Sequence, residues 1–110
     1  MDILEEIVAH KRVEVERLKE QLSEREIHSR VEALMATPEG SLVPSMKKAI
    51  KESSTGIISE FKRKSPSKGW IKEEGKAGVI PLSYQQNGAS AISILTDYEY
   101  FGGKDEFIVE

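Results

Sequence analysis

At 110 residues with 38% hydrophobic content and no cysteine, the chain is sized for one small domain with a modest core, and disulfide stapling, thiolate catalysis and cysteine-based metal sites are excluded. Its formal net charge of -3 argues against nucleic-acid binding as the main activity. No run approaches the roughly 18 apolar residues of a membrane span, and the charged start Asp2, Glu5, Glu6 is unlike a secretory signal, so the sequence reads as cytoplasmic.

Asp2 followed by Glu5 resembles a capping box, which predicts a helix from residue 3 to residue 22. Leu4, Val8, Val15, Leu18 and Leu22 form its apolar stripe, with Lys11 in the one polar gap. The stripe suits either packing or a dimerisation seam of about three heptads. Ser23 with Glu26 caps a second helix, and Ile27, Val31, Leu34 and Met35 form its apolar side. Thr37, Pro38, Glu39 and Gly40 then break it. Ser45 starts a short helix through Lys51, and Ser53 to Gly56 turn into a strand. Residues 1–54 are thus expected to form a helical amino-terminal extension. His10 and His28 lie in polar helical sequence without metal-ligand spacing and read as surface residues; no metal site is expected.

The strand begins at Ile57, with Ile58 and Phe61 supplying the β-branched and aromatic residues of a half-buried pleat. Alternation places Ile58, Glu60 and Lys62 on one side and Ile57, Ser59 and Phe61 on the other, so an acid and a base point the same way. Arg63 to Gly69 follow as a cationic, hydroxyl-rich loop, in which Pro66 and Gly69 stop the strand from continuing. Charged residues at a strand end feeding such a loop occupy the place where α/β proteins put chemistry. Spacing alone also allows a solvated surface pair.

Residues 76–86 are weakly helical, with a start expected near Gly78 and a stop at Asn87-Gly88. Residues 89–95 read as a nearly continuous apolar strand of the kind covered on both faces in a parallel sheet. Residues 55–110 therefore contain a β-α-β unit. Lys104 to Val109 look like the start of another helix.

The run Ile57-Ile58-Ser59-Glu60-Phe61-Lys62-Arg63-Lys64-Ser65-Pro66-Ser67, completed by Ile71, resembles the signature of indole-3-glycerol phosphate synthases, the lyases of tryptophan biosynthesis. Ala89 to Asp97, followed by Tyr100-Phe101-Gly102-Gly103, is similar to that family's second strand and the loop after it. The resemblance implies an α/β fold, the amino-terminal part of a (β/α)8 TIM barrel, with the helical extension covering one end near the active site. Such a barrel takes about 250 residues, and two strands cannot close it. The sequence is therefore expected to be the amino-terminal portion of a synthase, inactive alone, with either the rest of the barrel or self-association covering its open faces.

The reaction implied is conversion of 1-(2-carboxyphenylamino)-1-deoxyribulose 5-phosphate to indole-3-glycerol phosphate with loss of carbon dioxide and water, without a metal or organic cofactor. Ring closure needs an acid at the ribulose carbonyl, and dehydration needs an acid and a base. By resemblance, Lys62 is a catalytic or substrate-carboxylate-binding lysine and Glu60 a carboxylate that holds it in place. Ser65 is a loop serine donating to the phosphorylated substrate, and Phe101 an aromatic packing on its anthranilate ring. The family's second catalytic lysine, base glutamate and phosphate loops have no counterparts in this sequence. Three other readings compete: a helical self-association module built on Leu4 to Leu22, a phosphate- or nucleic-acid-binding fragment using Arg63, Lys64 and Lys68, and another phosphosugar-binding barrel fragment.

Overall fold

The structure, a computed structural model, describes residues 2–110. The chain divides between Pro44 and Ser45 into two compact units. In the first, helix α1 (Ile3–Gln21) opens on the expected capping box. The Glu5 N–H donates to Asp2 Oδ1 at 2.8 Å and the Asp2 N–H to Glu5 Oε2 at 3.3 Å, so two amides that the helix leaves unpaired are satisfied. Leu22, expected inside the helix, caps it in an extended conformation while its N–H still reaches Leu18 O. Helix α2 (Glu24–Met35) starts from Ser23, whose Oγ accepts the Glu26 N–H at 3.2 Å. The expected break after it is more ordered than a loop, because Pro38–Leu42 wind into a 3₁₀ turn. Pro38 suits the first position, where its missing N–H costs nothing. Gly40 is buried so closely against the end of α2 that a Cβ would lie 2.7 Å from Met35 Cα. Neither α1 nor α2 has a buried residue, and both apolar stripes lie largely open, Leu4 being 67% and Leu34 49% exposed.

The second unit is a small α/β arrangement. Helix α3 (Met46–Glu52), capped by Ser45 Oγ accepting from Lys48 N–H at 3.1 Å, belongs to it and packs near its second long strand. Strand β1 (Ile58–Phe61) leads into an antiparallel hairpin, β2 (Lys64–Ser65) and β3 (Gly69–Trp70), where the sequence predicts an irregular loop. Gly69 takes φ 63° at the turn, a conformation only glycine adopts freely. The Ile71 and Lys72 N–H groups both donate to Arg63 O, at 2.7 and 3.0 Å, and tie off the hairpin base.

Helix α4 (Ile80–Gln86) crosses over to strand β4 (Ala91–Ile94). It starts two residues later than expected, with Pro81 buried in its first turn. Gly88 takes φ 103° after it, whereas Asn87 stays at φ -102°, so glycine alone supplies the reversal. β4 is shorter than the seven-residue run because Ala89 closes α4, its N–H donating to Tyr84 O. Next to it, Thr55 Oγ1 donates to Gly88 O and approaches Ser90 Oγ, which draws the two inter-element turns together.

β1 and β4 pair in parallel, in register from Ile58 with Ala91 to Phe61 with Ile94. The core lies on one face of this pair. Phe61, Ala77 and Phe107 are buried, with Ile80, Tyr84 and Ile94 packed against them, and the Phe61 and Phe107 rings meet edge to face at 5.8 Å. Phe107 sits on a 3₁₀ turn, Asp105–Ile108, in place of the expected helix start. On the opposite face Ile58 is 51% exposed. Among the described residues no helix is long and apolar enough to cross a membrane.

Candidate active site

The strand alternation that buries Phe61 on the core side turns Glu60 to the other face. Lys62 stands just past the end of β1, and its Nζ lies 4.0 Å from Glu60 Oε1. The acid and base expected to share a face therefore do so at the carboxyl end of a parallel strand, where α/β folds collect reacting groups. The pair is partly solvated, the lysine side chain being 34% and the glutamate 50% exposed, so by itself it is worth little as a stabilising ion pair. Its chemical content lies in holding an ammonium beside a carboxylate with access to solvent.

From β4, Ser93 Oγ donates to Glu60 Oε2 at 3.5 Å, a contact that the parallel register produces by placing the two residues opposite each other. A single carboxylate with a lysine beside it is a poor cation cage, since divalent ions are held by several oxygen ligands or by imidazole and thiolate.

Ser65 lies on β2 and is buried, and its Oγ accepts the Lys68 N–H at 3.2 Å. That bond holds the hairpin turn and leaves the hydroxyl proton to be donated elsewhere. Phe101 ends a one-turn helix, α5 (Tyr98–Phe101), where the sequence predicts a loop; Asp97 caps α5 by accepting the Tyr100 N–H at 2.9 Å. Gly102 closes α5 at φ 61°. β2 packs against α5, so the strand carrying Ser65 and the helix carrying Phe101 are neighbours. Glu60 and Lys62 form the second group, at the end of β1.

One competing reading groups Arg63 with Lys64 and Lys68 as a basic phosphate contact, and the structure gives Arg63 a different role. Arg63 Nε and Nη2 both donate to Gly102 O, at 3.1 and 2.7 Å, and Nη1 donates to Glu73 O at 2.9 Å. The guanidinium also lies 4.9 Å from the Phe107 ring centroid and 5.5 Å from that of Trp70. It is a clamp that ties the loop after β1 to the loop after α5, with three of its five donors committed to carbonyls. Only the planar, forked donor set of arginine hints at this from sequence. Lys64 leans on the same ring, its Nζ 5.5 Å from the Trp70 centroid and 3.4 Å from Glu99 O. Two of the three residues on which the phosphate or nucleic-acid reading rests are thus drawn into holding the hairpin.

The model of the indole-3-glycerol phosphate synthase family matches residues 4–110. An indole-3-glycerol phosphate synthase of Bacteroides thetaiotaomicron is 48% identical over 102 residues, covering 93% of this chain and 37% of the relative. Synthases of Aliarcobacter butzleri and Prochlorococcus marinus are 39% and 37% identical, with 96% and 97% of this chain covered and 40% and 35% of theirs. The chain spans well under half the length of these relatives. Since the match runs through both compact units and takes in Glu60, Lys62, Ser65 and Phe101, the chain belongs to the indole-3-glycerol phosphate synthase family.

Proposed function

We propose that the chain is the amino-terminal part of a cytoplasmic indole-3-glycerol phosphate synthase. The complete enzyme is a carbon-carbon lyase that converts 1-(2-carboxyphenylamino)-1-deoxyribulose 5-phosphate to indole-3-glycerol phosphate with release of carbon dioxide and water. In this reading residues 1–54 are the helical extension and residues 55–110 the first β-α-β portion of a (β/α)8 barrel, whose remaining strands bring the second catalytic lysine, the base glutamate and the phosphate loops. The observation that carries it is the Lys62–Glu60 pair at the carboxyl end of β1, within a family match that reaches almost every residue.

Lys62 supplies a mobile positive charge that meets the substrate carboxylate or delivers a proton to the ribulose oxygen as the ring closes. Glu60 keeps that ammonium at the strand end. Ser65 offers its hydroxyl proton from the hairpin turn, and Phe101 brings an aromatic face to the anthranilate ring. No step in this scheme calls on a metal or an organic cofactor.

The test is a fluorescence assay for indole-3-glycerol phosphate, run on residues 1–110 alone and on the polypeptide extended through the remaining barrel strands. The short chain gives no turnover above a blank. The extended one forms product, and Lys62→Ala lowers its kcat/KM by about a hundredfold or more. Turnover by the short chain alone, or an extended enzyme indifferent to Lys62→Ala, contradicts the proposal.

A further inference from the structure

We propose that Ser93 is a positioning residue of this site, acting on the reaction through Glu60; the inference rests on the synthase reading and adds a residue to it. The register of the parallel pair sets Ser93 opposite Glu60, and paired residues on neighbouring strands project to the same face. Ser93 Oγ donates to Glu60 Oε2 at 3.5 Å, while Lys62 Nζ lies 4.0 Å from Oε1. The two partners thus take different oxygens of one carboxylate. A glutamate contacted at one oxygen still turns about its terminal torsion, which is broad; a second contact on the other oxygen narrows that rotation and biases which oxygen faces Lys62.

The surroundings single out this hydroxyl. The next pair down the same face is Ile58 with Ala91, and the next residue of β4's run on that face is Leu95; none of these side chains can hydrogen-bond a carboxylate. Ser93 is the only polar residue in the run from Ala91 to Leu95. The Ser93 hydroxyl can donate one proton, and the Glu60 carboxylate lies within reach as its acceptor. The contact is long in the open site, and catalytic hydrogen bonds of this kind tighten when substrate closes the site around them.

The experiment uses the polypeptide extended through the remaining barrel strands. Ser93→Ala is expected to lower kcat about fivefold, the loss of one long hydrogen bond of ordinary net strength, with KM changed by less than about twofold. Ser93→Thr, which keeps the hydroxyl, restores the parent kcat. In a Glu60→Ala background, which removes the acceptor, Ser93→Ala produces no further loss in the residual rate, because residues acting as a unit are not additive. A Ser93→Ala enzyme with the parent kcat overturns the inference, as does a fivefold loss that persists in the Glu60→Ala background or an effect confined to KM. A parent enzyme that forms no product overturns the synthase reading itself, and this inference with it.

Discussion

Arg63 ties three stretches of the second unit together. It joins chain segments 39 residues apart through two bonds to Gly102 O, adds a third to Glu73 O, and lies over the Phe107 and Trp70 rings. A lysine at this position keeps the charge but offers a single compact ammonium, so it can satisfy one of these carbonyl sites and cannot bridge both. Arg63→Lys is therefore expected to loosen the hairpin locally by about 2 kcal/mol. That corresponds to exchange of the Ile71 and Lys72 amides, which bond to Arg63 O, about thirtyfold faster by hydrogen-exchange mass spectrometry or NMR. Trp70 is the only tryptophan, so a red shift of its emission gives an independent reading. Unchanged exchange and emission would mean that the clamp is ornamental and the guanidinium is available to a ligand after all.

At the scale of elements, the turn after β4 has the tightest backbone tolerances of the second unit. Gly103 approaches the preceding strand so closely that a Cβ would sit 2.0 Å from Leu95 O, and at Gly102 it would meet the Trp70 ring at 2.9 Å with φ already at 61°. The obstacle at Gly103 is backbone, which cannot turn aside, whereas the indole at Gly102 can move. Gly103→Ala is therefore expected to be the more damaging change, releasing the Leu95 N–H from Phe61 O and raising its exchange rate at least tenfold. Equal protection of that amide in the variant and the parent contradicts this ranking. The same contrast between local and distant partners sets what can be read from sequence. The caps at Asp2, Ser23 and Ser45 are legible because each is a bond across three residues. So is the facing of Glu60 and Lys62, which follows from strand alternation. The hairpin at Lys64 to Trp70 and the single turn of α5 are too short to carry a periodicity. The clamp by Arg63 depends on a carbonyl far along the chain, and the Ser93 contact on a register that no local pattern specifies. The family resemblance is nevertheless legible in the sequence, because the signature that carries it contains the loop residues that periodicity cannot interpret.

For the molecule as a whole, the balance of burial decides how the 110 residues behave by themselves. Ordering the backbone costs about 1–2 kcal/mol per residue, and the buried apolar residues to offset it are Phe61, Ala77 and Phe107, with no large side chain fully enclosed among the described residues. The parallel pair has cover on the face of Phe61 and Ile94 but leaves Ile58 half exposed on the other, whereas parallel sheets persist when both faces are covered. In the first unit the stripes of α1 and α2 have no buried residue at all. These helices are well capped, yet helices in proteins draw most of their stability from packing an apolar face. Residues 1–110 are thus expected to keep helical far-ultraviolet dichroism while binding anilinonaphthalene sulfonate strongly and melting without a sharp cooperative step. Under the proposed synthase reading, adding the remaining strands of a barrel, as a continuous polypeptide or as a co-expressed segment of a relative, should abolish the dye binding and yield one steep transition. Alternatively, a second copy could supply the missing cover: the short chain would then melt cooperatively at high concentration and lose that transition on dilution, and deletion of residues 1–22 would show whether the stripe of α1 is the seam. A short chain that melts sharply at every concentration and binds no dye would show that the two small units are stable as they stand, and would remove the physical case for a completing partner.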